Sequence, residues 1–212
     1  MLSIIIPTCK TIIKTLESLK DCPVPYQLIT TNVQGVGKAR HEGALKAKYP
    51  LIAMFDDDLT ILPQVWKAIL ELNQGEFLLT HLGEHLSSRV FAIHKTDYFK
   101  VGGFDTSIKY TFEDGDFAIR AQKTGLKLKI LPPQLLIHNE HLHRGASGPF
   151  GMNLGFWKEY ARLYVKYKRQ FEANLLAPFT GLPHDYKIAF AWLIVRSTLI
   201  LSYIARSPFV RL

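Results

Sequence analysis

Short apolar runs separated by mixed segments recur along the first two-thirds of the chain. Ser3 to Ile6, Tyr26 to Thr30, Leu51 to Phe55, Phe77 to Leu82 and Val90 to His94 each have the length of a strand. Pro50 marks the start of the third run, because it removes a ladder donor. Helix-period segments lie between them. Thr11 to Leu19 places Ile12, Leu16 and Leu19 on one side; Gln34 to about Lys48 and Pro63 to Leu72 follow, the latter with proline suited to a first turn. A short helix capped by Thr96 ends at Gly102-Gly103. The alternation β-α-β-α-β-α predicts an α/β fold, a mainly parallel sheet flanked by helices. One more helix follows Phe112-Glu113-Asp114-Gly115-Asp116 and closes at Gly125, and strands follow over Leu126 to Ile130 and Leu135 to Ile137.

The pattern changes near residue 150. Phe156, Tyr160, Tyr164, Tyr167 and Phe171 form an aromatic stripe at helical spacing, opposite a basic stripe of Lys158, Arg162, Lys166 and Arg169. Residues 186–204 are strongly apolar and about as long as a bilayer span. Arg196 near their middle would cost about 2.5–3.5 kcal/mol to insert, so an interfacial helix, or one covered by a second copy of the chain, fits better than a span. The 212 residues, 48% of them hydrophobic, suffice for one good core and an appendage. The expected division is a core domain over 1–150 and a helical extension over 151–212.

Charge sharpens this division. From Met152 onward nine Lys and Arg face three Asp and Glu, so the tail carries +6 of the net +8. An anionic membrane surface is one partner such a tail fits, and a solvated basic face on a packed helix is the plainer alternative; nucleic acid is not expected. Two cysteines are too few for a disulfide framework, which favours a reducing, cytoplasmic setting with the tail at the inner face of a membrane. Cys9, at the end of an apolar run, reads as core. The N-terminal MLSIIIPT lacks a basic leader region and is cut by Pro7, so it reads as a first strand.

Candidate chemistry begins at Asp56, Asp57 and Asp58, directly after the most apolar run. Three adjacent carboxylates at a strand exit repel one another unless a cation or a ligand's donors offset them. Oxygen ligands of this kind suit Mg²⁺ or Mn²⁺, and the carboxyl ends of strands are where open α/β sheets bind ligands. A solvated capping turn is the alternative. Gly35 and Gly37 precede a helix start with Lys38 and Arg40, an arrangement that lets backbone amides approach a phosphate. Glu113, Asp114 and Asp116 form a second acidic cluster, explicable as first-turn acids on a helix dipole. Two acidic centres also suit metal-assisted transfer, in which one set holds the cation and another carboxylate takes a proton. His138, His141 and His143 follow the last core run; one of them can complete a shell of oxygens, whereas their spacing fits no common zinc pattern.

In this order the signals resemble the family 2 glycosyltransferases of the GT-A fold, inverting enzymes that use nucleotide-sugar donors. The matching stretches are SIIIPT at Ser3 to Thr8, GKARHEGALKA at Gly37 to Ala47 and the D-x-D-like Asp56 to Asp58. VGGFD at Val101 to Asp105, FEDGDFAIRAQKTG at Phe112 to Gly125 and the histidine after the core complete them, over about the first 145 residues. The resemblance implies a GT-A-like, Rossmann-type sheet in which Pro7 and Thr8 line the nucleobase pocket. Arg40 would sit near the donor, and Asp56 and Asp57 would contact ribose or stabilise the cluster. Asp58 would bind Mn²⁺ or Mg²⁺ bridging the donor diphosphate, with His138 as a further ligand and His141 as runner-up. Asp114 would be the catalytic base, and Glu113 beside it would shape the site of a glycan or lipid-linked acceptor.

The chain departs from the family in an abbreviated segment between Asn32 and Gly35 and at two further places. Thr30-Thr31-Asn32 stand where an acidic residue reading the base is usual, and Cys9-Lys10 where an aromatic residue and Asn are common. UDP-sugar is the first expected donor and GDP-sugar the second. Two other readings remain at this level: a degenerate relative that binds nucleotide-sugar or glycan without turnover, and a nucleotidyltransferase.

Overall fold

The computed structural model describes residues 1–82, 85–108, 112–139, 154–167, 191 and 193–198. The chain forms two compact units, Met1–Lys109 with Glu113–Leu142, and Tyr110–Phe112 with His143–Leu212.

The first unit is built on β1 (Leu2–Pro7), β2 (Tyr26–Thr31), β3 (Leu51–Phe55), β5 (Glu76–Leu82), β6 (His85–His94) and β7 (Lys127–Leu131). They form one six-stranded sheet in the order β2-β1-β3-β6-β5-β7, with β4 (Leu59–Ile61) and β8 (Leu136–His138) making a separate two-stranded ladder. Its helices are α1 (Thr15–Ser18), α2 (Val36–Lys46), α3 (Pro63–Leu70), α4 (Lys95–Lys100) and α5 (Glu113–Lys123). Pairing is parallel between β1 and β2, β1 and β3, and β5 and β7, but β6 runs antiparallel to both β3 and β5. The sheet is thus mixed and mostly parallel, as expected for an α/β fold except at β6.

β1 and β3, inside the sheet, are buried on both faces, which explains their unbroken apolar runs. On one face Ile4, Ile6, Ala53, Phe55 and Val90 pack with Val65, Trp66 and Ile69 of α3. On the other, Phe91 meets Tyr98, Phe104 and Phe117 in an aromatic cluster with centroids 5.1–6.3 Å apart. Helix α2 covers the β1 side of that face with small residues. A Cβ at Gly43 would collide with Ile5 Cγ2, and Ile5 is fully buried. Gly43→Ala is therefore expected to destabilise the unit by about 2 kcal/mol, overpacking outweighing the gain in helix propensity. A thermal melt several degrees below wild type would show it, and an unchanged midpoint would contradict it.

Four local expectations change. The helix expected over Thr11 to Leu19 shrinks to α1 and one 3₁₀ turn at Leu19–Asp21, leaving Ile12 77% exposed. The cause is Thr15, whose hydroxyl donates to the Asp56 carbonyl at 2.7 Å and accepts from the Leu59 amide at 2.9 Å, tying the segment to the aspartate turn. Cys9 is exposed, not core. β6 begins at His85, five residues before the expected start, because Ser87 and Ser88 find partners in the sheet and the site. β4 has no counterpart among the expected strands, and β8 is displaced by one residue from Leu135 to Ile137 by a 3₁₀ turn at Pro133–Leu135.

In the second unit α6 (Leu154–Tyr167) buries Tyr160 and Tyr167 and leaves Lys158, Arg162 and Lys166 exposed, so the two expected stripes separate where they are described. The side chains of Phe156 and Tyr164, and all of Arg169 and Phe171, lie outside the described residues. Among the described residues no helix is long and apolar enough to cross a membrane. Arg196 is exposed.

Candidate active site

The strand order places β1 between β2 and β3, so the chain crosses from one side of β1 to the other and leaves a crevice at the carboxyl ends of these strands. Because β6 is antiparallel, its first half reaches the same edge. Three groups meet there: the loop after β1, the aspartate turn after β3 and the start of α5.

A cavity of about 440 Å³ opens beside β1 and β2. Pro7, Thr8, Thr31, Asn32, Gly35 and Asp57 are among its lining residues. Gly35 has φ +95°, a conformation that turns the chain from β2 into α2 at the cavity wall. Thr8 ties the walls together, its amide donating to the Thr31 carbonyl at 2.9 Å and its hydroxyl to Asp57 Oδ2 at 2.6 Å. Thr31 Oγ1 is buried in this lining with no partner among the described residues. An unmet buried hydroxyl costs about 1–3 kcal/mol, which a polar ligand offsets.

The three aspartates have different surroundings. Asp56 is half-buried and accepts from Arg40 Nη2 at 2.7 Å. Asp57 accepts from Lys10 Nζ at 2.6 Å as well as from Thr8. Asp58 lies 4.0 Å from the same ammonium, and its carbonyl accepts from the Asn139 amide at 2.8 Å. The β4–β8 ladder sets Leu59 opposite His138, so the histidine segment adjoins the aspartate turn through the backbone. The side chain of His138, and all of His141 and His143, lie outside the described residues.

Arg40 is the hub between the two acidic centres. It is 2% exposed; Nη2 holds Asp56 and Nη1 holds Glu113 Oε1, each at 2.7 Å, while Nη1 also donates to Ser88 Oγ at 2.5 Å. Burial opposes its charge, but Asp56, Glu113 and Asp114 outweigh burial and hold Arg40 protonated beyond its ordinary range. Glu113, the first residue of α5, is 5% exposed, and Ser88 Oγ donates to it at 3.3 Å. Burial and the adjacent Asp114 charge push Glu113 well above the usual carboxylate range, against the pull of Arg40. Asp114 is partly exposed, and its carboxylate accepts from the Gly115 amide at 2.8 Å and the Ser88 amide at 3.2 Å. Burial raises Asp114 too, against those amides and Arg40. Asp116 pairs with Arg120 at 2.7 Å.

Of the residues singled out from sequence, Arg40, Glu113, Asp114 and the aspartate turn gather at one edge of the sheet, in a chain of contacts Asp56–Arg40–Glu113–Ser88–Asp114. Ser88 belongs to the site without having been marked by the sequence reasoning, and Lys10, marked there only as a departure from the family pattern, belongs to it too. Nothing in the residue pattern distinguishes Ser88, which lies before the expected start of its strand; Lys10 is legible as a cation three residues past the first strand.

Among the described side chains no three of His, Cys, Asp or Glu converge as a ready metal site. Asp57 and Asp58 nevertheless fit a divalent cation, since the Lys10 ammonium already shows a positive charge accommodated between them. Mg²⁺-type sites commonly combine one or two carboxylates with a substrate's phosphates.

No family model matches the chain, and no curated protein matches its sequence. Solved structures do match its fold. The mannosyltransferase PcManGT from Pyrobaculum calidifontis, solved with GDP-Man and Mn²⁺, superposes with a TM-score of 0.59 at 13% identity, over 97% of this chain and 76% of that one. S. aureus TarS 1-349 in complex with UDP-GlcNAc gives 0.55 at 16% identity, over 93% and 71%. The catalytic domain of Drosophila beta1,4galactosyltransferase 7 with xylobiose gives 0.53 at 16% identity, over 66% and 71%. The mixed, mostly parallel sheet with its helices is the GT-A fold of these glycosyltransferases, and this chain has that fold.

Proposed function

We propose that the protein is an inverting glycosyltransferase that moves a sugar from a nucleoside diphosphate donor, UDP-sugar before GDP-sugar, to an acceptor hydroxyl. The observation that carries this reading is the meeting, at one sheet edge, of a cavity lined in part by Thr8, Thr31 and Asp57, an aspartate turn and a partly exposed carboxylate on a separate element. Glycosyltransferases that share the fold supply the prior.

In this reading the cavity between β1, β2 and α2 takes the nucleoside, and the Thr31 hydroxyl is a polar group available to it. Asp57 and Asp58 would hold Mn²⁺ or Mg²⁺ with the donor diphosphate, and His138 is the further candidate ligand. Bound there, the cation supplies Lewis-acid stabilisation of the charge that grows on the leaving diphosphate. Asp114 accepts the acceptor hydroxyl's proton as that oxygen bonds to the sugar C1 from the face opposite the diphosphate. The C1–O bond to phosphate breaks and its electron pair leaves with the nucleoside diphosphate. The Ser88 and Gly115 amides fix the Asp114 carboxylate for that task. Glu113, buried against Arg40, acts as a positioning residue in this scheme and does not face an acceptor.

Isothermal titration of UDP and GDP with and without Mn²⁺, on wild type and Asp58→Ala, tests this. Metal-dependent binding weakened at least about tenfold in the variant is expected, the loss of one charged ligand contact. Absence of binding by wild type to either nucleotide in either condition would overturn the reading.

A further inference from the structure

Lys10 stands on the loop after β1, held over the aspartate turn by Thr8. The Lys10 amide donates to Thr8 Oγ1 at 3.0 Å, and that same hydroxyl donates to Asp57. The lysine ammonium then closes on Asp57 Oδ1 at 2.6 Å and reaches within 4.0 Å of Asp58 Oδ2. The two carboxylate side chains are only 11% and 13% exposed, whereas the Lys10 side chain is 35% exposed. A cation on a flexible stem thus faces anions held in place.

The two cations of the site differ in their freedom to move. Arg40 is buried and committed to Asp56 and Glu113, whereas Lys10 reaches Asp57 and Asp58 from the partly exposed loop. A divalent cation entering between Asp57 and Asp58 competes with the ammonium for the same oxygens and repels it. Lysine binds as a compact point charge on a flexible four-carbon stem, and phosphate oxygens are good acceptors for it. Asp57 lines the cavity read above as the nucleoside site, so the ammonium bonded to it stands one ion pair away from that cavity.

We propose that Lys10 is the resident counter-cation of the aspartate turn and that it transfers to the donor's diphosphate when a divalent cation takes the carboxylates. This rests on the nucleotide-sugar reading above. It gives Lys10 two opposed effects: it weakens binding of the metal alone and strengthens binding of the metal–nucleotide pair. A residue that merely props the turn would affect both in the same direction.

The test is titration of the full chain with Mn²⁺ alone, and then with UDP in saturating Mn²⁺, for wild type, Lys10→Met and Lys10→Arg. Lys10→Met is expected to bind Mn²⁺ about tenfold more tightly and UDP about tenfold more weakly, the scale of one charge-assisted contact. Lys10→Arg, which keeps the charge, is expected to return both affinities toward wild type, and circular dichroism melts establish that each variant is folded. Loss of both affinities in Lys10→Met, or no change in either, would overturn the inference while leaving the proposed function standing. Failure of wild type to bind UDP or GDP at all would overturn the nucleotide-sugar reading and the inference with it.

Discussion

Asp114→Asn is expected to lower turnover by about 10²- to 10⁴-fold while leaving UDP affinity within about twofold of wild type. The asparagine keeps the size of the side chain and an acceptor for the Gly115 or Ser88 amide, but it cannot take a proton. A base acts only in its ionised form, and burial with a neighbouring acid raises the Asp114–Glu113 pair. The acid limb of wild-type kcat/KM is accordingly expected above the ordinary aspartate value of about 3.9, reported as an apparent value of the pair. Stability carries the same sign. Groups whose folded pKa is raised stabilise the fold at low pH, and that contribution is lost as pH rises through the folded value. Asp114→Asn is therefore expected to gain stability relative to wild type as pH rises toward neutrality. Donor hydrolysis and transfer assays across pH, beside melts of both proteins, measure these effects; wild-type turnover in the variant would remove Asp114 from the mechanism.

Arg40→Met is expected to cost about 3–5 kcal/mol of folding stability, the penalty for leaving a buried ion pair half empty. Here the loss is shared by Asp56 and Glu113, both bonded to the guanidinium at 2.7 Å, with Ser88 as a third partner. A domain's whole stability is about 5–15 kcal/mol, so a melting midpoint lowered by about 10 °C or more is the expected reading. Arg40→Lys retains a charge but has no fork to bridge two carboxylates, and it is expected to recover only part of the loss. Adding Glu113→Gln to Arg40→Met is expected to restore some stability, because it removes one uncompensated anion. A melt unchanged in Arg40→Met would show that the network contributes nothing to the fold.

The elements legible from sequence are those whose side chains obey one environment. Leu51 to Phe55 is buried on both faces and reads as a strand from its composition alone, and the aspartates at its end mark the site because nothing in folding requires three adjacent charges. Helix α5 is legible through its first-turn acids and Gly125, which has φ +87° and ends it. Harder to read are segments whose residues serve another element. Thr15 spends its hydroxyl on the Asp56 carbonyl and the Leu59 amide, so a stretch with helical spacing yields only one α turn and one 3₁₀ turn. Ser88 dilutes the strand signal of β6 because its hydroxyl accepts from Arg40 and donates to Glu113. Val90, Phe91, Ala92 and Ile93 of β6 are all buried, so this antiparallel strand shows the unbroken apolar run usual for parallel ones, and nothing in its pattern marks the reversal. That reversal brings Ser88 to Asp114, which is why the candidate base is legible and its support is not.

The short ladder between β4 and β8 joins Asp58 to a segment some eighty positions later, through three residue pairs and the bond from Asn139 to the Asp58 carbonyl. Any molecule that binds the turn only when the ladder is closed must tighten the ladder by the same free energy that the closed ladder lends to binding. A substitution at Ile61 or Leu136, far from any reacting atom, would then reach donor affinity through the fraction of molecules in which the two distant segments have met.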